Sequence, residues 1–124
     1  MAKKKTVSSL DIVKFAVKGI EEKKGENIVV INLKKLKNAI CDYYVICNGN
    51  NERQLEAIAT SVEEVVRKNL KQKPFHQEGK ENMEWVLIDY FDVVVHIFKP
   101  ETREFYGLED LWADGELLNI ENLA

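Results

Sequence analysis

Turn-forming and redox-active residues are scarce in this sequence: two prolines, six glycines and two cysteines occur among 124 residues. So few breakers leave no proline-rich or glycine-rich linker, and two cysteines cannot build the disulfide framework of a small secreted domain. Arginine occurs only at Arg53, Arg67 and Arg103, and histidine only at His76 and His96. Neither histidine forms a close pair with Cys41 or Cys47, so no zinc-ligand spacing is present. Uninterrupted apolar runs, such as Ile28 to Ile31 and Val93 to Val95, fall far short of the roughly 20 residues that a membrane helix needs. Serine is limited to Ser8, Ser9 and Ser61, with no Gly-x-Ser-x-Gly elbow, which argues against a serine nucleophile.

What is present is the composition of one compact domain, 45% hydrophobic and 31% charged. A chain of this length buries roughly two thirds of its unfolded surface, enough to fold without a metal or a disulfide. The formal net charge of −3 conceals a split: residues 1–40 sum to +6, and residues 41–124 to −9. From Glu101 onward seven acidic residues face Arg103 alone. Phosphate binding needs clustered Lys and Arg, so this acidic part is a poor surface for DNA or RNA and suits a basic partner better. Met1 to Val7 is a lysine cluster without an apolar core behind it, so residues 1–7 read as a disordered basic lead rather than a signal peptide, and the chain as cytoplasmic.

Periodicity orders the rest. Ser8 or Ser9 caps a first helix with Asp11 as capping-box partner, and Leu10, Val13, Val17 and Ile20 share one helical face. Gly25 is the expected left-handed residue that ends it. Asn27 to Leu33 reads as a strand, Lys34 to Asn38 as an exposed loop, and Asp42 to Cys47 as a second strand closed by the Asn48-Gly49-Asn50 turn. Asn50 or Asn51 caps a second helix, whose stripe of Leu55, Ile58, Ala59, Val62, Val65, Val66 and Leu70 is the strongest periodic signal. Pro74 is the expected stop. An extended piece over 75–78, then a hairpin of Trp85 to Tyr90 and Val93 to Phe98, follow; Thr102 to Trp112 forms short helical turns broken at Gly107, and from Asp114 little holds the chain. The expected fold is α+β: a single mixed sheet of about five strands with helices packed on it, one domain over 8–114 and an acidic tail over 115–124.

Candidate chemistry is thin. Cys41 and Cys47 are an even number apart, which puts both on one strand face, yet small buried apolar residues account for them more simply than a Cys47 and His96 pair. The 48–51 turn lacks the Gly-rich phosphate-loop pattern, so a capping role fits it better. Asp42, Asp89 and Asp92 at strand ends leave one enzymatic alternative open, a degenerate nucleotidyltransferase or nucleotide-binding domain holding magnesium, although turn chemistry explains Asp89 and Asp92 without a metal. Interface-type residues stand out instead: Tyr43, Tyr44, Trp85, Phe105, Tyr106 and Trp112, with the three arginines. Alternation sets Trp85, Leu87 and Asp89 on one face of their strand, opposite Val86 and Ile88. Trp85 is the candidate anchor on that face, and Trp112 a clasp holding the terminal helix to the sheet.

Two sets of residues resemble a known family. The first is Asp42-Tyr43-Tyr44-Val45-Ile46-Cys47-Asn48-Gly49 with Glu52-Arg53-Gln54 and Ala57-Ile58-Ala59. The second comprises Glu78-Gly79, Trp85-Val86-Leu87-Ile88-Asp89, Asp92-Val93-Val94-Val95-His96-Ile97-Phe98, Arg103-Glu104-Phe105-Tyr106, Leu108-Glu109 and Leu111-Trp112. In this order they resemble the ribosomal silencing factor family, also called RsfS or Iojap, from about Ser8 to Asp114. Two departures stand out: Phe91 where the family often has a small residue at the hairpin turn, and Asn51 where it has a Ser cap. Asn caps equally well.

The resemblance implies a non-enzymatic factor without metal or cofactor, on a nucleotidyltransferase-like fold lacking the catalytic Gly-Ser and paired-aspartate motif. It implies binding to the large ribosomal subunit through the small basic protein on its intersubunit face, the fourteenth of the large-subunit series. Joining of the small subunit would be blocked sterically, repressing translation when nutrients are scarce. Nearby ribosomal RNA and a homodimer in the free form are further implied partners; a membrane and DNA are not. The resemblance marks Trp85 as a partner contact, with Asp89, Asp92, His96, Arg103, Tyr106 and Trp112 in the same blocks, and Tyr43, Tyr44 and Gln54 as further candidates.

Overall fold

A computed structural model describes residues 7–123. The lysine-rich lead expected over 1–7 lies outside the described residues except for Val7, which packs against the core. Helix α1, Ser9–Glu22, opens with the capping box: Asp11 N–H donates to Ser8 Oγ at 3.1 Å, and the Asp11 carboxylate reaches back to the Ser8 N–H. The left-handed residue that follows is Lys24 (φ 62°), not Gly25. Gly25 has a different reason to be glycine, since its N–H closes on Ile20 O at 2.9 Å and a Cβ there would overlap the Ile20 side chain.

Strand β1, Glu26–Asn32, and strand β2, Tyr43–Asn48, pair antiparallel. Asn51 then caps helix α2, Glu52–Leu70, through its Oδ1 to the Gln54 N–H at 2.9 Å. Helix α2 ends at Lys71 in the left-handed conformation (φ 58°), before Pro74 is reached, so the proline bars continuation but does not set the end. The apolar stripes of α1 and α2 meet on one face of the sheet, where Ser61 Oγ donates to Gly19 O at 2.8 Å; a Cβ on Gly19 would lie 2.8 Å from the Val62 Cα, so the helices cross at backbone distance.

The sheet continues with β3, His76–Glu78, β4, Trp85–Asp89, and β5, Val93–Phe98, followed by short helices α3, Pro100–Tyr106, and α4, Leu108–Leu111. Gly107, left-handed at φ 54°, separates the two helices as the sequence implies. Strand β6, Glu116–Leu118, closes the far edge against β1, and a 3-10 turn, Ile120–Leu123, follows. The order across the sheet is β3, β4, β5, β2, β1, β6, with β2 and β5 parallel and every other pair antiparallel.

The mixed α+β sheet is as expected, but it has six strands, and the sixth lies in the segment read as an acidic tail. Three residues, Glu116, Leu117 and Leu118, carry too little pattern to announce a strand, and the β1 edge recruits them through Ile31 and its neighbours. The loop over 33–42 is also less exposed than its lysines suggest: Leu33 is buried, and Leu36 and Ala39 pack beside it under the second face of the sheet. Among the described residues no helix is long and apolar enough to cross a membrane.

Candidate functional site

The two faces of the sheet differ. Helices α1 and α2 close one of them over Val30, Tyr43, Val45, Cys47, Val86, Ile88, Val93, Val95 and Ile97. The other carries Tyr44 and Ile46 from β2, His96 and Phe98 from β5, and Trp85 and Leu87 from β4, and among the described residues α3, α4 with the turn after it, and the 33–42 loop flank it. The alternation read from the sequence holds: Val86 and Ile88 are buried, and Trp85, Leu87 and Asp89 are half-buried on the open side.

An aromatic layer covers this open side. Trp85 lies 4.9 Å from Phe98 and 4.8 Å from Tyr106, centroid to centroid, and 5.8 Å from His96. His96 meets Tyr44 edge-on at 4.6 Å, and Tyr44 meets Trp112 edge-on at 6.0 Å. Tyr106 and its neighbour Phe105 are exposed at 54% and 80%, so the layer ends in aromatic surface that nothing among the described residues covers. Trp85 is held from behind. Gly79 sits at φ 90° with its Cα against the Trp85 carbonyl, where a Cβ would fall inside van der Waals contact, so only glycine lets the β3–β4 connection close.

His96 is the buried polar member of this layer, 3% exposed. The Trp85 Nε1–H donates to its Nδ1 at 3.0 Å. Burial pushes the imidazole down to about 3 from its ordinary 6.5, so it is neutral at physiological pH. Its other nitrogen, Nε2, is buried with no hydrogen-bond partner among the described residues.

Comparison with known proteins decides the family. The model of the family described as "Ribosomal silencing factor during starvation" matches residues 6–124. The chain belongs to the ribosomal silencing factor family. A ribosomal silencing factor from Halalkalibacterium halodurans is 37% identical over 94% of this chain and 98% of its own length. The mouse protein "Mitochondrial assembly of ribosomal large subunit protein 1" is 39% identical over 57% of this chain and 32% of its own. A crystal structure from Chromobacterium violaceum superposes with a TM-score of 0.81 at 33% identity, covering 86% of this chain and 88% of that one.

Several residues expected on a ribosomal silencing factor's partner surface make their contacts within the chain. Arg103 is 9% exposed; its Nε and Nη2 grip Glu109 at 2.8 and 3.0 Å, and its Nη1 donates to Asn27 O at 2.8 Å and Asn48 Oδ1 at 2.9 Å. This guanidinium ties α3, α4, β1 and β2 together, and its hydrogen bonds hold the Glu109 carboxyl below the usual carboxylate range. Gln54 bridges the helix ends, accepting from the Asn50 N–H at 2.7 Å and donating to Lys23 O and Lys24 O. The Tyr43 ring lies in the helix-side core.

The aspartates sit at the sheet end where β2 and β5 begin. Asp89 Oδ1 accepts from the Phe91 N–H at 2.7 Å, closing the hairpin turn, and Asp92 O accepts from the Asp42 and Tyr43 N–H groups. Among the described residues no group of three or more His, Cys, Asp or Glu side chains is placed to hold a metal ion. The cysteines part company: Cys47 faces the helices and Cys41 lies under the opposite face, because the chain turns into β2 between them and alternation does not carry through. Cys47 therefore points away from His96, and burial pushes both thiols up to about 12. Leu87 lies where the alternation put it, beside Trp85, whereas Phe98 belongs to the open face without having been singled out in the sequence. Counting by twos from His96 finds it.

Proposed function

We propose that this chain binds the large ribosomal subunit through the small basic protein on its intersubunit face, the fourteenth of the large-subunit series. By occupying that face it would exclude the small subunit and so repress translation under nutrient limitation. The docking surface in this reading is the open aromatic face, with Trp85 and Tyr106 as anchors, Tyr44 and Trp112 beside them, and Asp89 and Asp92 at its end to meet basic side chains. The observation that carries it is the asymmetry of the sheet: one face is closed by two helices, while the other ends in exposed aromatic rings. Buried aromatic anchors with an acidic rim are the chemistry that recognises a basic protein.

The names of the relatives support the ribosome and, in the mouse protein, the large subunit. No enzymatic step is proposed. A homodimer in the free form and contact with adjacent ribosomal RNA through the lysine-rich first third belong to the same reading, and sedimentation of the purified protein tests the dimer. The central test is a subunit-joining assay. Wild-type protein is expected to cosediment with free large subunits and reduce their joining to small subunits. Trp85→Ala is expected to weaken both by about 30-fold or more, the scale of an interface hot spot. Unimpaired joining at saturating wild-type protein removes the reading.

A further inference from the structure

We propose that His96 is the positioning residue of the docking face: it touches no partner itself, and its Nδ1 fixes the Trp85 indole in the orientation that a partner meets. The inference rests on Trp85 being the anchor, as read above. Strand β5 is otherwise apolar throughout, Val93, Val94, Val95, Ile97 and Phe98 being its other members, and all six positions are buried. A strand with no task but packing would carry another valine or phenylalanine at 96. His96 instead brings two ring nitrogens into a site where only one finds a partner.

The pairing fixes the chemistry. Leu87 lies opposite His96, and Trp85 opposite Phe98, so the Trp85 and His96 side chains are diagonal neighbours on one face. Because Nδ1 accepts the indole N–H at 3.0 Å, the ring proton must sit on Nε2, and it is that N–H which is left buried without an acceptor. Among the described residues the hydrogen bond to Trp85 is thus the one polar contact that the imidazole makes, which ties the reason for a histidine at 96 to that indole. Tyr44 edge-on, Phe98 stacked at 6.1 Å and the bond to Trp85 leave the imidazole no freedom to turn. The indole is in turn confined between His96, Phe98 and Tyr106, and ordering an anchor before binding removes part of the entropy that binding would otherwise lose.

The test uses the full chain and isolated large ribosomal subunits. His96→Phe keeps the aromatic packing and removes the acceptor, whereas His96→Asn places an amide oxygen near the Nδ1 position. The expected result is binding weakened about three- to tenfold in His96→Phe and largely restored in His96→Asn. In a Trp85→Phe background, His96→Phe should add nothing, since the bond it removes is already gone. A spectroscopic readout separates positioning from bulk packing: the Trp85 indole N–H, distinguished from that of Trp112 by Trp112→Phe, should exchange slowly in the wild type and fast in His96→Phe. A freely exchanging Trp85 indole in the wild type overturns the proposal even if no His96 variant folds. If Trp85→Ala weakens binding while His96→Phe leaves it unchanged, positioning fails and the docking reading stands; if Trp85→Ala has no effect, the docking reading itself has failed.

Discussion

The two faces of this sheet are built from adjacent residues of the same strands, yet they do opposite things. On β4, Val86 and Ile88 are fully enclosed by α1 and α2, while Trp85 and Leu87, one residue away in each direction, remain half open. The closed face is mostly aliphatic, with Tyr43 and Tyr90 among its buried members. The open face is aromatic, carries the buried His96 with an unpartnered nitrogen, and is flanked rather than covered. The difference teaches where stability and recognition are separated: a side chain that turns toward the helices is committed to the fold, and its neighbour is left for a partner.

The sharpest way to break that division is to cut each face in turn. Ile58→Ala, in the middle of α2 on the closed face, is expected to lose about 2–5 kcal/mol of stability, read from denaturant unfolding, with unchanged binding to large subunits at a temperature where it stays folded. Trp85→Ala should show the reverse weighting, with its larger effect on binding. Equal effects of both variants on binding would dissolve the distinction between the faces.

Arg103 tests the join between the sheet and the helices that flank the open face. Arg103→Ala should cost about 2–4 kcal/mol, because it strips hydrogen bonds from Asn27 and Asn48 and leaves Glu109 unpaired. Glu109 has a lowered carboxyl in the folded state, so the stability that this pair supplies is present above the unfolded carboxylate range and is lost as the pH falls through the folded value. Arg103→Ala should therefore flatten the acid limb of stability below about pH 4.3.

His96 acts in a different window. The unfolded chain takes up a proton at 6.5 and the folded chain only at about 3, so stability is undiminished above pH 6.5 and declines on acidification between those values, by at most about 1.4 kcal/mol per pH unit. Urea titrations at pH 7 and pH 5 should show that decline in the wild type and not in His96→Phe. The smallest expected effect is at the hairpin turn. Phe91 is exposed and sits at φ 79°, a left-handed backbone that a bulky residue adopts at a cost, and its compensation within the chain is an edge contact with exposed Phe75 at 5.9 Å. Phe91→Gly should raise stability by about 0.5–1 kcal/mol, measured as a higher unfolding midpoint. A loss would mean that the Phe75 contact outweighs the strain.

Much of this was legible along the chain because it depends on near neighbours. The Ser8 and Asn51 caps, the stripe of α2, the break at Gly107 and the alternation across Trp85 to Asp89 are set by residues within a few positions of one another, and each appears in the structure. Strand β6 was not legible, because Glu116–Leu118 is a strand only through pairing with β1 some 85 residues earlier, on the order of two thirds of the chain away. The fates of Arg103, Gln54 and Tyr43 were hidden for the same reason. Interface-type residues look alike in sequence whether their partners lie in another molecule or, for Arg103, at Asn27, Asn48 and Glu109 of the same one.

By itself the sequence determined the elements before β6, the α+β class and the spaced blocks that mark a ribosomal silencing factor, since propensity, capping and two-residue alternation act locally. Only the tertiary structure decided which of those residues are used up inside. That depends on strand order and register, which bring Trp85 beside His96 and leave Tyr106 uncovered, and no local pattern encodes a contact between strands that the chain has yet to bring together.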